Sequence, residues 1–287
     1  MLLAIDVGNT DTKLGFFDAP APEGLRRTWR VGTARARTAD EFGVLFGTLF
    51  RSADIDPAAV TAIAISSVVP QTDMALAEAS RSYFSCTPVF FTAATQTMID
   101  VTTERPKDLG ADLLAAAVAG KAKYGTPLIA LGFGTATTFG AVSREGEYLG
   151  NAIAPGIRIS IDALVERTAK LPQVALEAPN GPIGRDTVSS MQAGIVFGFV
   201  GQTEAIVARM RHAIGEDARV IATGGLADVI ARHTSVIDAV EPHLVLHGLA
   251  LWYAACYNRV LCPASLRRSV SAPTRSGRPW CSRRCRV

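Results

Sequence analysis

The sequence opens with Leu2-Leu-Ala-Ile-Asp-Val-Gly-Asn-Thr-Asp-Thr-Lys13. Its apolar start, residues 2–5, predicts a buried strand that delivers Asp6 to its carboxyl end. Gly8 permits a positive φ angle and a close backbone approach, as a tight turn requires. Residues 12–17 form a second predicted strand that leads away from the turn. The chain therefore begins with a predicted β-hairpin that carries an acidic residue next to its turn.

This hairpin is a candidate cradle for a phosphate group. Backbone N–H groups and the hydroxyls of Thr10 and Thr12 would face phosphate oxygens. Lys13 would add positive charge, and Asp6 would hold a Mg²⁺ ion. Taken alone, the stretch is equally compatible with a tight hairpin that carries a surface lysine.

Length and composition predict a well-cored globular protein with room for two domains. The chain has 287 residues, of which 48% are hydrophobic and 19% charged. The formal net charge is +3, but the segment from Val260 onward holds seven Arg and no acidic residue. Residues 1–259 carry 22 basic and 26 acidic groups. This mildly acidic body argues against a nucleic-acid surface.

Cysteine usage and hydropathy predict a cytoplasmic protein. The five cysteines are odd in number and form no CxxC pair, so neither a disulfide framework nor a zinc site is expected. The N-terminus lacks the layout of a signal peptide. The longest apolar stretch, residues 191–208, is interrupted by polar residues. That pattern predicts a buried helix and no membrane span.

The order of predicted elements repeats along the chain. Three strands, a helix, a strand, a helix and a strand precede a long Ala-rich helix at residues 113–124. A second hairpin then begins at Leu128, turns at Gly132-Phe-Gly-Thr-Ala-Thr-Thr138 and is followed by strands and helices in a similar order. The repeat predicts an internal duplication. We expect an N-terminal domain over residues 1–118 and a C-terminal domain over residues 119–259.

Residues 260–287 differ in character from the rest. They contain three prolines, five serines and seven arginines without hydrophobic periodicity, which predicts a disordered basic tail. A non-functional extension is the favoured interpretation of this composition, and a tether to an anionic surface is the alternative.

Two common nucleotide-binding motifs do not fit the residues. A Walker A loop, G-x-x-x-x-G-K-[ST], does not occur. Gly132-x-Gly134-x-x-Thr137 follows a predicted strand like a dinucleotide fingerprint, but the next residues favour a strand and do not start a helix. Two Gly/Thr hairpins, one in each half, predict instead two phosphate clamps that face each other across a cleft.

Seven short motifs follow one another in order over roughly residues 1–257. They are Asp6-Val-Gly-Asn-Thr10, Gly110-Ala-Asp112, Phe133-Gly-Thr-Ala-Thr-Thr-Phe139, Tyr148-Leu-Gly-Asn-Ala-Ile-Ala-Pro-Gly156, Thr168-Ala-Lys-Leu-Pro172, Ile183-Gly-Arg-Asp-Thr187 with Met191-Gln-Ala-Gly-Ile195, and Thr223-Gly-Gly-Leu226. Any one of them is weak, but together they resemble the type III pantothenate kinase family.

The resemblance implies an α/β protein with the duplicated ribonuclease-H-like, two-domain fold of the actin, Hsp70 and sugar-kinase superfamily. It implies phosphorylation of pantothenate from ATP, the first step of coenzyme A biosynthesis. Mg²⁺ and a monovalent cation, K⁺ or NH₄⁺, are the implied cofactors. A homodimer with a shared active site is implied as well, with the helix that carries Gly194, Gly198 and Gly201 in the interface. Packing of these glycines within one subunit is the alternative.

The resemblance also assigns roles to single residues. The implied ATP-phosphate loop consists of Asp6, Val7, Gly8, Asn9, Thr10, Asp11, Thr12 and Lys13, with Asp6 as the Mg²⁺ ligand. Further implied ATP contacts are Thr135, in the second phosphate loop, and Thr223, Gly224 and Gly225. The implied pantothenate site consists of Gly110, Ala111, Asp112, Leu113 and Thr187.

Asp112 matches the catalytic base of the family. It lies at the N-terminus of a predicted helix, where the helix dipole favours the charged carboxylate. A carboxylate is what phosphoryl transfer needs to accept the proton of an alcohol. From the residues alone, a simple helix-terminal charge is the alternative interpretation.

Three charged positions of the family pattern are small or apolar in this chain. Leu113 replaces an Arg that contacts pantothenate, Gly132 replaces the Asp that binds the monovalent cation, and Gly140 replaces an Asp that is frequent there. These departures support a second hypothesis, a catalytically impaired paralogue that acts as a binding or regulatory protein. A third hypothesis is a sugar-kinase-like transferase with a neutral acceptor, because Leu113 makes the acceptor site more apolar.

Overall fold

Two mixed β-sheets with the same strand order form the frame of the molecule. The computed structural model describes residues 1–257. The basic tail predicted for residues 260–287 lies outside the described residues, as do Cys262, Cys281 and Cys285.

The first half of the chain builds a five-stranded sheet flanked by two helices. Its elements are β1 (Leu2–Val7), β2 (Asp11–Phe17), β3 (Leu25–Gly32), α1 (Ala39–Ser52), β4 (Ala62–Ser67), α2 (Asp73–Phe84) and β5 (Val89–Phe90). The sheet order is β3-β2-β1-β4-β5, with β1 antiparallel to β2 and parallel to β4. A capping box starts α1, because Thr38 and Glu41 each accept a hydrogen bond from the other's backbone N–H.

The second half repeats this arrangement. Its elements are β6 (Asp100–Val101), α3 (Ala111–Tyr124), β7 (Leu128–Phe133), β8 (Ala136–Val142), β9 (Glu147–Pro155), α4 (Ile157–Glu166), α5 (Thr187–Ile214), β10 (Arg219–Thr223), α6 (Ala227–Ala231), β11 (Ala239–Val240) and α7 (Leu244–Tyr257). The sheet order is β11-β10-β7-β8-β9-β6. Strands β7 to β11 therefore repeat the order of β1 to β5, and β7 is antiparallel to β8 and parallel to β10. The predicted duplication and fold class are confirmed.

The sequence pattern does not predict two of the edge strands. β6 and β11 are two residues long, and each pairs at one edge of the second sheet. Two residues are too few to show a hydrophobic period, so only the sheet that receives them identifies them as strands.

Helices α3 and α7 lie between the two sheets and join the halves. Leu2 and Ala4 from the first sheet share one core cluster with Leu128 and Val142 from the second, and with residues of both helices. The helices cross closely at Gly248, where a Cβ atom would lie 2.0 Å from the carbonyl oxygen of Ala115. The predicted domain boundary after residue 118 falls inside α3 and stays a prediction.

Successive side chains of β1 point to opposite faces of the first sheet, and this alternation places Asp6 on the face that packs against α3 and α7. Leu3, Ile5 and Val7 pack on the side of α1 and α2, whereas Leu2 and Ala4 pack on the side of α3 and α7. Residues two apart in a strand share a face, so Asp6 also faces α3 and α7.

Helix α5 differs from the buried helix that its hydropathy predicts. By length and composition it is apolar enough to cross a membrane, but only 33% of its most apolar window is buried inside the described structure. Gly194, Gly198 and Gly201 are exposed, and a Cβ atom on any of them would meet no atom within 4 Å. Packing of these glycines within one subunit, the alternative given above, does not occur among residues 1–257. The helix thus presents an open apolar face.

Candidate active site

Asp6 lies at the carboxyl end of β1 in the crevice between the two halves. Its residue is 6% exposed, and its Oδ1 atom has no hydrogen-bond partner within residues 1–257. Burial, reinforced by the negative charge of Asp112, raises the pKa of Asp6 to about 7. The charge of Lys13 and the nearby Ser66 hydroxyl act in the opposite direction. Both residues pair with Asp6 in the sheet register.

Asp112 lies in the first turn of α3, opposite Asp6. Its Oδ1 atom accepts a hydrogen bond from the backbone N–H of Leu113 at 2.9 Å. A Cβ atom on Gly110 would lie 2.7 Å from the same oxygen, so the glycine makes room for the carboxylate. Burial raises the pKa of Asp112, while the backbone N–H of Leu113 and the charge of Lys13 partly oppose the shift.

One lysine therefore serves two carboxylates. Lys13 lies close enough to Asp6 and to Asp112 to lower the pKa of each. It also acts on His243, just before α7, whose pKa is lowered first by burial and then by the lysine charge. The carboxylates of Asp6 and Asp112 and the amine of Lys13 therefore share a crevice with little water, in which electrostatic interactions are stronger than in water.

In the first hairpin turn, the backbone of Gly8 lies close to the carbonyl oxygen of Asp11. The N–H of Gly8 donates to the carbonyl oxygen of Asp11 at 3.0 Å, and a Cβ atom on Gly8 would lie 3.0 Å from that oxygen. Gly8 does not use the positive φ angle that a glycine permits, since it is not among the described glycines with positive φ. The glycine is needed for close approach instead.

The two threonines of this hairpin have different surroundings. Thr12 is buried, and its hydroxyl hydrogen-bonds the hydroxyl of Thr33 at 2.9 Å, so it supports the turn and does not face open space. Thr33 in turn donates to the carbonyl oxygen of Gly8 at 2.8 Å. Thr10 is exposed and is the threonine available for a phosphate.

The second hairpin turn meets the first. The N–H of Gly134 donates to the carbonyl oxygen of Ala136 at 3.1 Å, and the hydroxyls of Thr10 and Thr135 are 2.8 Å apart. The two turns thus face each other across the crevice, as the repeated hairpins predict. Their backbone N–H groups are suited to anionic oxygens.

A third turn, Thr223 to Gly225, closes one side of the crevice. Gly224 has a φ angle of +106°, and a Cβ atom on it would lie 2.4 Å from the carbonyl oxygen of Phe133. Only glycine combines this conformation with so close an approach. Arg30 forms an ion pair with Asp11, and its guanidinium would lie 3.7 Å from a Cβ atom on Gly225.

Thr187 lies outside the crevice that holds Asp6, Lys13 and Asp112. It is the first residue of α5 and lines a cavity of about 740 Å³ between α4 and α5, together with Leu164, Met191 and Gly198. None of Asp6, Lys13 and Asp112 lines this cavity. The structure therefore brings together the hairpins, Asp6 and Gly110–Leu113, but not Thr187.

The two glycines at family Asp positions have close neighbours. A Cβ atom on Gly132 would lie 2.6 Å from Thr138 Oγ1, and one on Gly140 would lie 3.0 Å from Tyr148 Oη. Gly132 offers no side-chain ligand, so the residues present do not fit the monovalent-cation site implied by the resemblance.

Sequence reasoning missed Ser66, Arg30 and His243. Ser66 and Arg30 reach the crevice through cross-strand register, since Ser66 pairs with Asp6 and Arg30 pairs with Lys13. Hydrophobic periodicity carries no information about register between distant strands. A signal did exist for Ser66, because it lies at the end of an apolar run that predicts a buried strand.

A Mg²⁺ ion fits the donor set at Asp6. A buried carboxylate oxygen without a partner is a vacant oxygen ligand, and Mg²⁺ is commonly held by one or two carboxylates together with substrate phosphates. Residues 1–257 contain no group of three His, Cys, Asp or Glu side chains that would hold a metal on its own. The remaining ligands would therefore come from phosphate oxygens and water.

Comparison with known proteins gives a consistent result. The profile of a family described as type III pantothenate kinase matches residues 2–209. A protein named type III pantothenate kinase from Anaeromyxobacter sp. (strain Fw109-5) is 48% identical over 251 residues, which cover 88% of this chain and 98% of the relative. Proteins of the same name from Geobacter sulfurreducens and Geobacillus thermodenitrificans are 48% and 44% identical over 253 residues, again 88% of this chain and 98% and 97% of the relatives.

Solved structures agree on the fold. A Campylobacter jejuni protein described as a Baf family transcriptional activator has a TM-score of 0.56 at 15% identity and covers 89% of this chain and 99% of its own. The ethanolamine utilization protein EutJ of Carboxydothermus hydrogenoformans has a TM-score of 0.52 at 14% identity, with 87% and 89% covered. These similarities concern the fold alone. The profile match and the identities over almost the whole length of the relatives show that the chain belongs to the type III pantothenate kinase family.

Proposed function

We propose that the protein transfers the γ-phosphoryl group of ATP to the alcohol of pantothenate and so performs the first step of coenzyme A biosynthesis. The relatives named type III pantothenate kinase support the substrate. The observation that carries the chemistry is the position of Asp112, a carboxylate at a helix N-terminus that shares one crevice with Asp6, Lys13 and two facing hairpin turns.

The hairpin turns hold the triphosphate. Gly8 and Gly134 open the two turns that meet at Thr10 and Thr135, so backbone N–H groups and hydroxyls approach the phosphates from both halves. Lys13 supplies positive charge where negative charge accumulates during transfer. Positioning and electrostatic stabilisation are the main contributions that a protein makes to this reaction.

Asp112 acts on the acceptor. The alcohol oxygen forms a bond to the γ-phosphorus, the bond from that phosphorus to the β,γ-bridging oxygen breaks, and ADP leaves with the electron pair. The alcohol proton passes to the Asp112 carboxylate. Burial raises the pKa of this carboxyl and so improves it as a base, while Lys13 and the helix N-terminus keep it ionised.

Asp6 would hold the Mg²⁺ ion. Bound there, the ion would neutralise charge on the β- and γ-phosphate oxygens. The carboxyl has a pKa of about 7 without metal, so metal binding displaces a proton from part of the molecules at neutral pH.

We infer that a monovalent cation is not required for turnover. Gly132 stands at the position that the resemblance assigns to the cation, offers no oxygen ligand beyond the backbone, and is crowded by Thr138.

We further propose a homodimer that forms over the groove between α4 and α5. Large apolar side chains are exposed around it, with Ile159 46%, Val188 43% and Leu164 38% exposed. A stable dimer buries about 1,600 Å² in total, and a 28-residue helix with an open glycine face can supply such a surface. Thr187 lines this groove, so a pantothenate contact by Thr187 would be made across the dimer to the other subunit's site.

A cytoplasmic location completes the proposal. Among residues 1–257, Cys86 and Cys256 are free thiols, as is usual in a reducing compartment. Fractionation of cells against a cytoplasmic marker tests this location, and recovery in the membrane fraction would contradict it.

The substitution Asp112→Asn should reduce kcat for pantothenate phosphorylation by roughly 100- to 10,000-fold, because it removes the proton acceptor while keeping size and shape. A coupled assay for ADP release measures the rate. Asp18→Asn, on an exposed surface carboxylate paired with Arg26, is the matched control and should keep wild-type activity. Equal activity of Asp112→Asn and wild type would overturn the assignment.

Replacement of K⁺ by choline at constant ionic strength should leave kcat and KM unchanged, because Gly132 provides no side-chain ligand for the cation. The same assay measures both constants in buffers free of K⁺ and NH₄⁺. An activity that disappears in choline and returns with either cation would contradict the inference.

Without metal, the protein should lose stability as pH rises through about 7, and Asp6→Asn should reduce this loss. The folded-state pKa of Asp6 is raised to about 7 from an ordinary value of 3.8, so the native state retains a proton that the unfolded chain has released. The stabilisation is complete below pH 3.8 and is lost as pH rises through 7. Thermal unfolding in EDTA from about pH 5 to about pH 8 measures it, and identical pH dependence of the two proteins would contradict the buried carboxyl.

The substitution Gly198→Glu should convert a dimer to a monomer and reduce activity, because it places a charge on the open face of α5 without a clash inside one subunit. Sedimentation velocity gives the oligomeric state. Val44→Glu, at a 61% exposed position on α1, is the control and should remain dimeric. A wild-type protein that is fully active as a monomer would rule out the shared site.

A further inference from the structure

Tyr148 carries a hydroxyl that the resting fold does not use. The residue lies in β9, is 0% exposed, and its Oη atom has no hydrogen-bond partner in the part of the chain that the structure describes. A buried, unpaired phenol hydroxyl is unfavourable, and phenylalanine would fill the same space without it. The hydroxyl therefore has a cost in the resting state that a function would explain.

The Tyr148 hydroxyl has room because Gly140, on the neighbouring strand, has no side chain. Tyr148 pairs with Val142 of β8, and Gly140 lies two residues before Val142 on the same strand face. A Cβ atom on Gly140 would lie 3.0 Å from Tyr148 Oη and 3.2 Å from its ring. The hydroxyl occupies its position because residue 140 has no side chain.

Tyr148 also lies beneath the helix that carries the proposed base. Tyr148 and Val142 share a core cluster with Ala111 and Leu114, which lie one residue before and two residues after Asp112 in the first turn of α3. Burial and then the negative charge of Asp112 raise the pKa of the Tyr148 phenol. The phenol therefore keeps its proton and is available as a donor to an anionic oxygen.

We propose that Tyr148 is a positioning residue whose hydroxyl donates a hydrogen bond to the Asp112 carboxylate when the acceptor alcohol is bound. In the described structure, Asp112 Oδ1 accepts a hydrogen bond from the backbone N–H of Leu113. A second donor from β9 fixes the plane of the carboxylate, so that one lone pair points at the alcohol. This role rests on the proposed function, since it acts through the base of that reaction.

Tyr148→Phe tests the proposal, because it removes the hydroxyl and keeps the ring. The expected result is a kcat lowered roughly 10- to 100-fold, the effect of one hydrogen bond to a charged group, with KM for ATP unchanged and Tm unchanged or higher. A structural role would instead lower Tm. Wild-type kcat, or a lower kcat accompanied by a lower Tm, would overturn the proposal.

Two further variants complete the experiment. Gly140→Ala keeps the phenol but forces Oη to move, so kcat should fall even if Tyr148→Phe does not fold, and an unchanged kcat would overturn the proposal. Tyr253→Phe removes a partly buried phenol from α7 and should keep wild-type kcat. Absence of turnover in the wild type would refute the proposed function, whereas a normal wild type with a normal Tyr148→Phe refutes only the role of Tyr148.

Discussion

The burial of two carboxylates beside a single lysine is the constraint on which the rest of the site depends. Asp6 and Asp112 come from different elements and share the charge of Lys13, and the negative charge of Asp112 raises the pKa of Asp6. Buried charges are unfavourable unless they are paired or bind a cation. In the proposed function, a divalent cation bound at Asp6 and an alcohol hydroxyl bound at Asp112 would stabilise this negative charge.

The fold imposes this constraint through strand alternation and duplication. The alternation of side chains along β1 places Asp6 on the face towards α3. The absence of a side chain at Gly110 leaves space for the Asp112 carboxylate at the start of that helix. The second copy of the hairpin faces the first, so that the turns of both halves meet at the hydroxyls of Thr10 and Thr135. Helices α3 and α7 pack between the two sheets and fix the position of one hairpin relative to the other.

Much of this could be predicted from the sequence, because the signals are local. Apolar runs and Gly/Thr turns predicted both hairpins, and the repeated order of elements predicted the duplication. Contacts that depend on register or on tertiary packing could not be predicted. The partners Ser66 and Arg30, the support of the turn by Thr12 and the open face of α5 follow only from how distant strands and helices meet.

The pKa of Asp6, followed by ¹³C NMR of the side-chain carboxyl groups in metal-free protein, shows whether the two carboxylates share one buried crevice. We expect the Asp6 carboxyl to titrate at about 7 and its pKa to fall when Asp112 is replaced by Asn, because a neighbouring negative charge has been removed. An Asp6 carboxyl that titrates near its ordinary value of 3.8, or that does not respond to the change at residue 112, would show that the two acids do not share a crevice.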